Sequence, residues 1–117
     1  MKLKEIKNIL EAEIVVGDNY LNEEINMACG SDLMSDVLSY IKCGSLLLTG
    51  LTNSQVVRTA EMTDIVAICF ICGKKPQNKT IELAVEKEAP LLATKFSMFE
   101  ACGRLYKKGL PGCDELI

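Results

Sequence analysis

Two cysteines, Cys69 and Cys72, lie three positions apart in the stretch ICFICGKKP and could in principle hold a metal ion or exchange a disulfide. A zinc site of this type needs a second ligand pair at short spacing, and a redox C-x-x-C begins a helix. Here a glycine, two lysines and a proline follow the pair, and the other cysteines stand singly, at positions 29, 43, 102 and 113. Side chains alternate along a strand, so Cys69 and Cys72 should diverge at a strand end. The pattern favours buried, reduced cysteines without metal, with a thiol or iron–sulfur accessory protein as an alternative.

Histidine is absent from the sequence. This excludes a Ser-His or Cys-His catalytic pair within one chain, and it excludes a His-ligated metal. A small enzyme acting on a phosphorylated substrate stays open as an alternative, with Asp32 as acid/base and Lys74 or Lys95 as the electrophile. Asp32 is equally explained as a helix cap. We therefore favour a protein that is not an enzyme and has no cofactor.

The elements that would position these residues follow a repeating order. Three continuous apolar runs, each followed by a loop and a helix, occupy residues 45–49, 64–71 and 89–94. Apolar runs without alternation are typical of strands covered on both faces, and strand–helix repetition predicts a parallel sheet. We expect an α/β fold: a small three-layer domain with a mostly parallel sheet built from consecutive βα units, plus an N-terminal helix and short strands. One domain over residues 1–110 and a loose tail over 111–117 fit the length.

Apolar spacing also predicts the helices and their buried faces. The expected helices cover residues 3–10, a segment after Asp32 that Gly44 stops, residues 54–63 and 78–87, and a last helix that begins with an S-x-x-E capping box at Ser97. Short extended segments are expected at 13–17 and 25–29. For the second helix we predict an apolar face of Leu33, Val37, Leu38 and Ile41, and for the last helix one of Phe99, Cys102, Leu105 and Tyr106.

Polar residues follow each predicted parallel strand, where ligands bind in open α/β sheets. Loops that enter helix N-termini present N–H groups suited to an anion, and lysines would add positive charge. The same residues could instead only make turns and cap helices, as Asn53 and Ser97 would. We expect Thr49, Asn53, Lys74 and Lys95 to surround one shallow pocket. The predicted ligand-binding residues are Ser31, Asp32, Thr49, Gly50, Thr52, Asn53, Gly73, Lys74, Lys75, Thr94, Lys95 and Ser97.

The net charge and the N-terminal sequence indicate whether the protein binds nucleic acid or a membrane. The 13 basic and 16 acidic residues give a net charge of -3 without a basic patch, which disfavours nucleic acid. The N-terminal stretch MKLKEIKNIL is charged and amphipathic, unlike a signal peptide or a membrane span. We therefore expect a cytoplasmic protein that does not contact a membrane.

Several long stretches resemble the DRTGG-domain family, especially its small stand-alone members. They are GSDLMSDVL (30–38), GSLLLTGLTNSQVVRTAEM (44–62), GKKP (73–76) and KFSMFEACGRLY (95–106), so the likeness covers almost the whole chain. The motif that names the family is not present as letters. Its first part falls near Thr49 to Asn53, and its second near Cys72 to Lys74, where one glycine is kept.

The resemblance implies a small α/β domain that elsewhere accompanies CBS domains, phosphotransacetylases and inorganic pyrophosphatases as a regulatory or dimer-forming part. We accordingly expect a non-catalytic module for regulation, ligand sensing and dimerisation. Its ligand would be a small anionic metabolite, such as a nucleotide or a phosphorylated compound, or else a partner protein. A homodimer is the expected assembly.

Overall fold

The computed structural model describes residues 1–41 and 44–113. Over these residues the chain forms five strands and five α-helices, with a short 3-10 turn at Asp18–Tyr20. The helices are α1 (Leu3–Ile9), α2 (Met34–Tyr40), α3 (Gln55–Thr63), α4 (Asn78–Lys87) and α5 (Met98–Lys107). The strands are β1 (Glu13–Val16), β2 (Met27–Gly30), β3 (Ser45–Thr49), β4 (Ala67–Phe70) and β5 (Leu91–Ala93).

The strands form one sheet in the order β1-β5-β4-β3-β2. Strands β2 to β5 run parallel, and β1 pairs antiparallel with β5. The mostly parallel α/β sheet and the neighbouring positions of β3, β4 and β5 are therefore confirmed. Because all the parallel strands end at the same edge, the loops that follow them lie together there.

Helices cover the sheet on both faces. Helices α1 and α5 pack on the face that carries Leu46, Leu48 and Cys69, and the other three helices pack on the face that carries Leu47 and Phe70. Alternate residues of one strand thus enter different cores, which is why the strands are apolar throughout. Each fully buried leucine contributes about 1.5–3 kcal/mol to stability by leaving water.

Helix α2 differs from its prediction. It begins at Met34, and its buried residues are Met34 and Val37, whereas Leu33 and Leu38 are exposed. The helix is followed at Ile41 by extended backbone, so Gly44 is not its stop. Residues 42 and 43 lie outside the described residues. The predicted face was wrong at Leu33 and Leu38, because the helix begins at Met34 and turns that residue toward the sheet. Val37 is buried as predicted, and Ile41 is partly buried against the same core.

Helix α5 begins where it was predicted to begin, but its exposed face differs from the prediction. The Ser97 hydroxyl accepts a hydrogen bond from the Glu100 N–H at 3.2 Å, which confirms the cap. Leu105 is buried with Ala101, whereas Phe99 is 88% exposed and Tyr106 is 74% exposed. The predicted apolar face was therefore wrong at both aromatic positions, because the sheet contacts only one side of the helix.

Part of the expected tail is packed against the sheet. The Ala28 N–H donates to the carbonyl of Pro111 at 2.9 Å, and Cys113 is buried with its Sγ 3.3 Å from the hydroxyl of Ser45. These contacts hold residues 111–113 beside β2 and β3. Residues 114–117 of the expected tail lie outside the described residues. No helix within 1–41 or 44–113 is long and apolar enough to cross a membrane.

Candidate functional site

Asp32 lies in the loop after β2 and binds the start of the next βα loop. Its Oδ1 accepts hydrogen bonds from the Thr49 hydroxyl at 3.0 Å and from the Gly50 N–H at 2.6 Å. Asp32 was also considered as a cap for α2, but the residue preceding that helix is Leu33, whose N–H donates to the Ser31 hydroxyl at 3.1 Å. The cap explanation is wrong for Asp32. Its carboxylate instead joins the loop after β2 to the loop after β3.

Lys74 brings a third loop to the same point. A methyl group placed on the Cα of Gly50 would lie 3.4 Å from both Asp32 Oδ2 and Lys74 Nζ. Oδ2 of the Asp32 carboxylate and Nζ of the Lys74 ammonium group therefore both lie over Gly50, which has no side chain. We call Asp32, Thr49, Gly50 and Lys74 the Asp32–Lys74 cluster. It unites residues that the sequence places up to 42 positions apart, from Asp32 to Lys74.

A separate cleft lies beside this cluster, at the ends of β4 and β5. It has a volume of about 170 Å³ and is lined by Glu11, Glu13, Gly73, Lys75, Ala93, Thr94 and Lys95. We call it the Lys95 cleft. The ammonium of Lys75 pairs with the carboxylate of Glu13. Sequence reasoning missed both glutamates, because nothing in their local pattern shows that β1 pairs with β5.

The predicted single pocket is divided between these two places. Thr49 and Lys74 meet in the Asp32–Lys74 cluster, whereas Lys95 lines the neighbouring cleft. Asn53 is exposed in the loop before α3, and its carbonyl accepts the Val56 N–H at 3.3 Å. The residue at the cap position of α3 is Ser54, so the expectation that Asn53 caps this helix was wrong.

Several predicted residues hold the loops in place. The carbonyl of Thr52 accepts the Gln77 N–H at 3.0 Å and the Thr80 hydroxyl at 2.7 Å, which fixes the loop after β3 to the start of α4. The Thr94 hydroxyl donates to the carbonyl of Leu10 at 2.6 Å and accepts the Phe96 N–H at 3.3 Å. These hydrogen bonds fix the loops at the carboxyl ends of β3 and β5.

Backbone amides at this edge are engaged within the chain. The N–H groups of Cys72, Gly73 and Lys74 donate to carbonyls at 2.7, 2.9 and 3.1 Å, and that of Gly50 donates to Asp32. The expectation that free amides of these loops would bind an anion was therefore wrong for these four groups. Lys74 and Lys95 are exposed at this edge, and their ammonium groups are positive charges that an anion could contact there.

The two cysteines of the C-x-x-C stretch have different environments. Cys69 is buried in β4, whereas Cys72 is exposed beyond the end of that strand, with φ of 61°. The predicted burial is confirmed for Cys69 and wrong for Cys72, because the strand ends at Phe70 and the chain turns there. Burial, and secondarily the nearby Cys102, raises the pKa of Cys69 to about 12. Within the described ranges, no group of three or more acidic or thiol side chains is placed to hold a metal ion.

Thiol labelling should separate these two cysteines. At pH 8 a thiol with a pKa of about 12 has about a thousandfold smaller thiolate fraction than one with the ordinary pKa of 9.0. We expect Ellman's reagent to modify Cys72 in the folded protein and Cys69 only after unfolding. The Cys72→Ser variant should lose the fastest labelling phase, as followed by mass spectrometry of peptides. Rapid modification of Cys69 in the native protein would contradict the buried position.

Comparisons with known proteins agree with this architecture. The family model of the DRTGG domain matches residues 5–107. A similar solved structure comprises the CBS and DRTGG domains of the regulatory region of Clostridium perfringens pyrophosphatase, complexed with its activator, diadenosine tetraphosphate. The TM-score is 0.68 at 19% sequence identity, over 94% of this chain and 47% of that one, so this chain spans about half the length of its neighbour. At this identity the likeness shows the fold. Among curated proteins, none matches the sequence significantly.

Proposed function

Because this chain belongs to the DRTGG-domain family, we propose that it is a non-catalytic regulatory module that binds a small anionic metabolite and forms a homodimer. The observation that carries the ligand proposal is the Asp32–Lys74 cluster, in which three loops place a carboxylate and an ammonium group over the same glycine, Gly50. Ligands of open α/β sheets bind at this edge.

The chemistry of the cluster favours a ligand that is both anionic and rich in hydroxyl groups. The ammonium of Lys74 would pair with a phosphate, and Lys95 lines the separate Lys95 cleft. Asp32 uses Oδ1 for two internal hydrogen bonds, and a carboxylate has two oxygens with about four acceptor sites in all. The second oxygen can therefore accept a hydrogen bond from a sugar hydroxyl. A nucleotide carries both groups.

The solved neighbour supports the choice of nucleotides as first probes. Its description names diadenosine tetraphosphate as the activator of the pyrophosphatase whose regulatory region it shows. We propose an adenine nucleotide, or another phosphorylated metabolite with free hydroxyls, as the ligand of this chain. Binding would bias the arrangement of two copies or of a partner protein, which is how such a module would regulate.

Thermal unfolding with ATP, AMP, adenosine and inorganic phosphate tests this proposal. A ligand at about a hundred times its dissociation constant stabilises the folded state by about 2.7 kcal/mol. We expect ATP or AMP to raise the unfolding midpoint, and adenosine and phosphate alone to raise it less. Lys74→Ala should weaken nucleotide binding about tenfold or more, since a charge-assisted hydrogen bond is worth about 1.5–3 kcal/mol.

Lys87→Ala is the matched control, because Lys87 is an exposed lysine in the last turn of α4 that pairs with Glu61. It should bind the nucleotide as the native chain does. Equal weakening by both variants would show nonspecific attraction and would contradict the proposed site. Turnover of a phosphorylated compound during the titration would favour the alternative in which the chain is an enzyme.

The dimer proposal is supported by the edge of the sheet. Strands β1 and β2 are the two outer strands of the sheet, and Gly112 covers only part of β2 through its bridge with Ala28. Strand edges that are partly open tend to be covered by another chain or by a loop. Light scattering at tens of micromolar should therefore give the mass of two chains.

A further inference from the structure

The outer side of α5 carries an apolar stripe that the fold does not use. Phe99 and Tyr106 are the most exposed of the large apolar side chains in the described part of the chain. With Gly103 they are spaced i, i+4 and i+7, which places all three on one side of the helix. We call these three residues the α5 stripe. Beside it runs a groove of about 380 Å³ between α5 and β2, lined by Ala28, Gly30 and Met98 among others.

Gly103 is not required by packing within the chain. A Cβ at this position would meet no other atom within 4 Å, and the residue is in the middle of a helix, where glycine is less favourable than alanine. A helical glycine between two exposed aromatic side chains allows a second helix to approach the backbone closely. The α5 stripe is therefore suited to packing against another helix, with large side chains at its two ends, Phe99 and Tyr106, and no side chain at its centre, Gly103.

We propose that α5 packs antiparallel against α5 of a second copy of this chain, about a two-fold axis near Gly103. This rests on the proposed homodimer and assigns its surface. In a two-fold interface each contact occurs twice. Phe99 would contact the partner subunit's Tyr106, and Tyr106 would contact the partner subunit's Phe99. The two glycines would face each other at the axis, and the aromatic rings would fill the grooves beside β2.

Charges along the helix support a copy of the same chain as the occupant. Glu100 follows Phe99 in the first turn, and Lys107 follows Tyr106 in the last turn, and both lie on the same side of the stripe. Within the helix, Glu100 Oε2 already accepts a hydrogen bond from Arg104 Nε at 2.7 Å. An antiparallel arrangement would add the partner subunit's Lys107 on the same side, and the two-fold axis would repeat this contact. Antiparallel helix dipoles are also attractive at their ends. The surface is thus complementary to itself.

Sedimentation equilibrium of the full chain tests the surface. We expect Phe99→Ala and Gly103→Ala each to raise the dimer dissociation constant about tenfold or more. Gly103→Ala is the sharper variant, because alanine favours the isolated helix and should raise the unfolding midpoint of the monomer while it weakens the dimer. Tyr40→Ala on α2 is the matched control for an exposed aromatic side chain and should leave the dissociation constant unchanged.

Charge exchange tests the antiparallel register. Glu100→Lys should weaken the dimer, and the double variant Glu100→Lys, Lys107→Glu should restore it, because the two-fold axis recreates both pairs with reversed sign. Circular dichroism would verify that each variant is folded.

The possible outcomes separate this inference from the dimer proposal. Weakening by the stripe variants together with rescue by the double variant supports the α5 surface. A native dimer whose dissociation constant is unchanged by Phe99→Ala and Gly103→Ala overturns the surface and leaves the dimer proposal standing. A monomer at tens of micromolar overturns both.

Discussion

Replacing Thr94 with valine should lower the free energy of unfolding by about 2–3 kcal/mol, because an unsatisfied buried polar group costs about 1–3 kcal/mol. The Thr94 side chain is 2% exposed at the carboxyl end of β5. Its hydroxyl donates to the carbonyl of Leu10 at 2.6 Å and accepts the N–H of Phe96 at 3.3 Å. Valine keeps the shape but leaves both groups without this partner. Urea unfolding monitored by circular dichroism gives the difference.

Thr63→Val provides the control for Thr94→Val. The Thr63 hydroxyl donates to the carbonyl of Thr59 within the same helix, α3, and the residue is only half-buried. The substitution should therefore change the free energy of unfolding by about 0.5 kcal/mol or less. Equal losses of unfolding free energy at both positions would show that the hydrogen bond between Thr94 and Leu10 stabilises the fold no more than one within a single helix. A larger loss at Thr94 would identify it as the residue that holds the end of α1 against the Lys95 cleft.

Asp32→Ala should lower the free energy of unfolding by about 1.5 kcal/mol, at the lower end of the range for hydrogen bonds to a charged group because Asp32 is exposed. The change removes the acceptor of both the Thr49 hydroxyl and the Gly50 N–H. Asp32→Asn keeps a carbonyl oxygen at the same position and should lose less than half as much. Urea unfolding of the two variants measures the difference.

The Asp32 variants also separate stability from binding. Asp36→Ala, at an exposed carboxylate in the first turn of α2, is the control and should lose only a few tenths of a kcal/mol. If Asp32 also binds a ligand hydroxyl, Asp32→Asn should weaken nucleotide binding more than its small effect on stability would suggest. A loss of stability at Asp32 no larger than at Asp36 would contradict the role of its carboxylate in joining the two loops.

The βα units could be predicted because their signal is local. Continuous apolar runs indicated β3, β4 and β5, and the helical spacing of NKTIELAVEK predicted α4 over 78–87, as observed. The edge at which the following loops meet then follows from the handedness of the strand–helix–strand connection. For the same reason the sequence alone places Lys74, Lys95 and Thr49 at one edge of the sheet.

The sequence could not predict that the expected single pocket is divided into the Asp32–Lys74 cluster and the Lys95 cleft. Whether the Asp32 carboxylate caps α2 or reaches β3 depends on where α2 begins, and a shift of one residue decides it. The N–H groups in a loop that leads into a helix are often free. Here the chain turns at Cys72 and Gly73, and the N–H groups of these two residues donate to the carbonyls of Phe96 and Thr94. Such contacts join segments more than 20 positions apart, and no local pattern encodes them.

The sequence by itself determined the α/β class, the parallel strands and the set of polar residues at their carboxyl ends, because apolar periodicity and turn residues act over a few positions. The family followed from the resemblance of several stretches of the sequence to it. Only the tertiary structure decided which of these residues meet. It paired β1 with β5 and so brought Glu13 to Lys75, and it left Phe99 and Tyr106 on the side of α5 that the sheet does not reach. The physical reason is that a side chain's partner, and whether it is covered at all, depends on the packing of whole elements against one another.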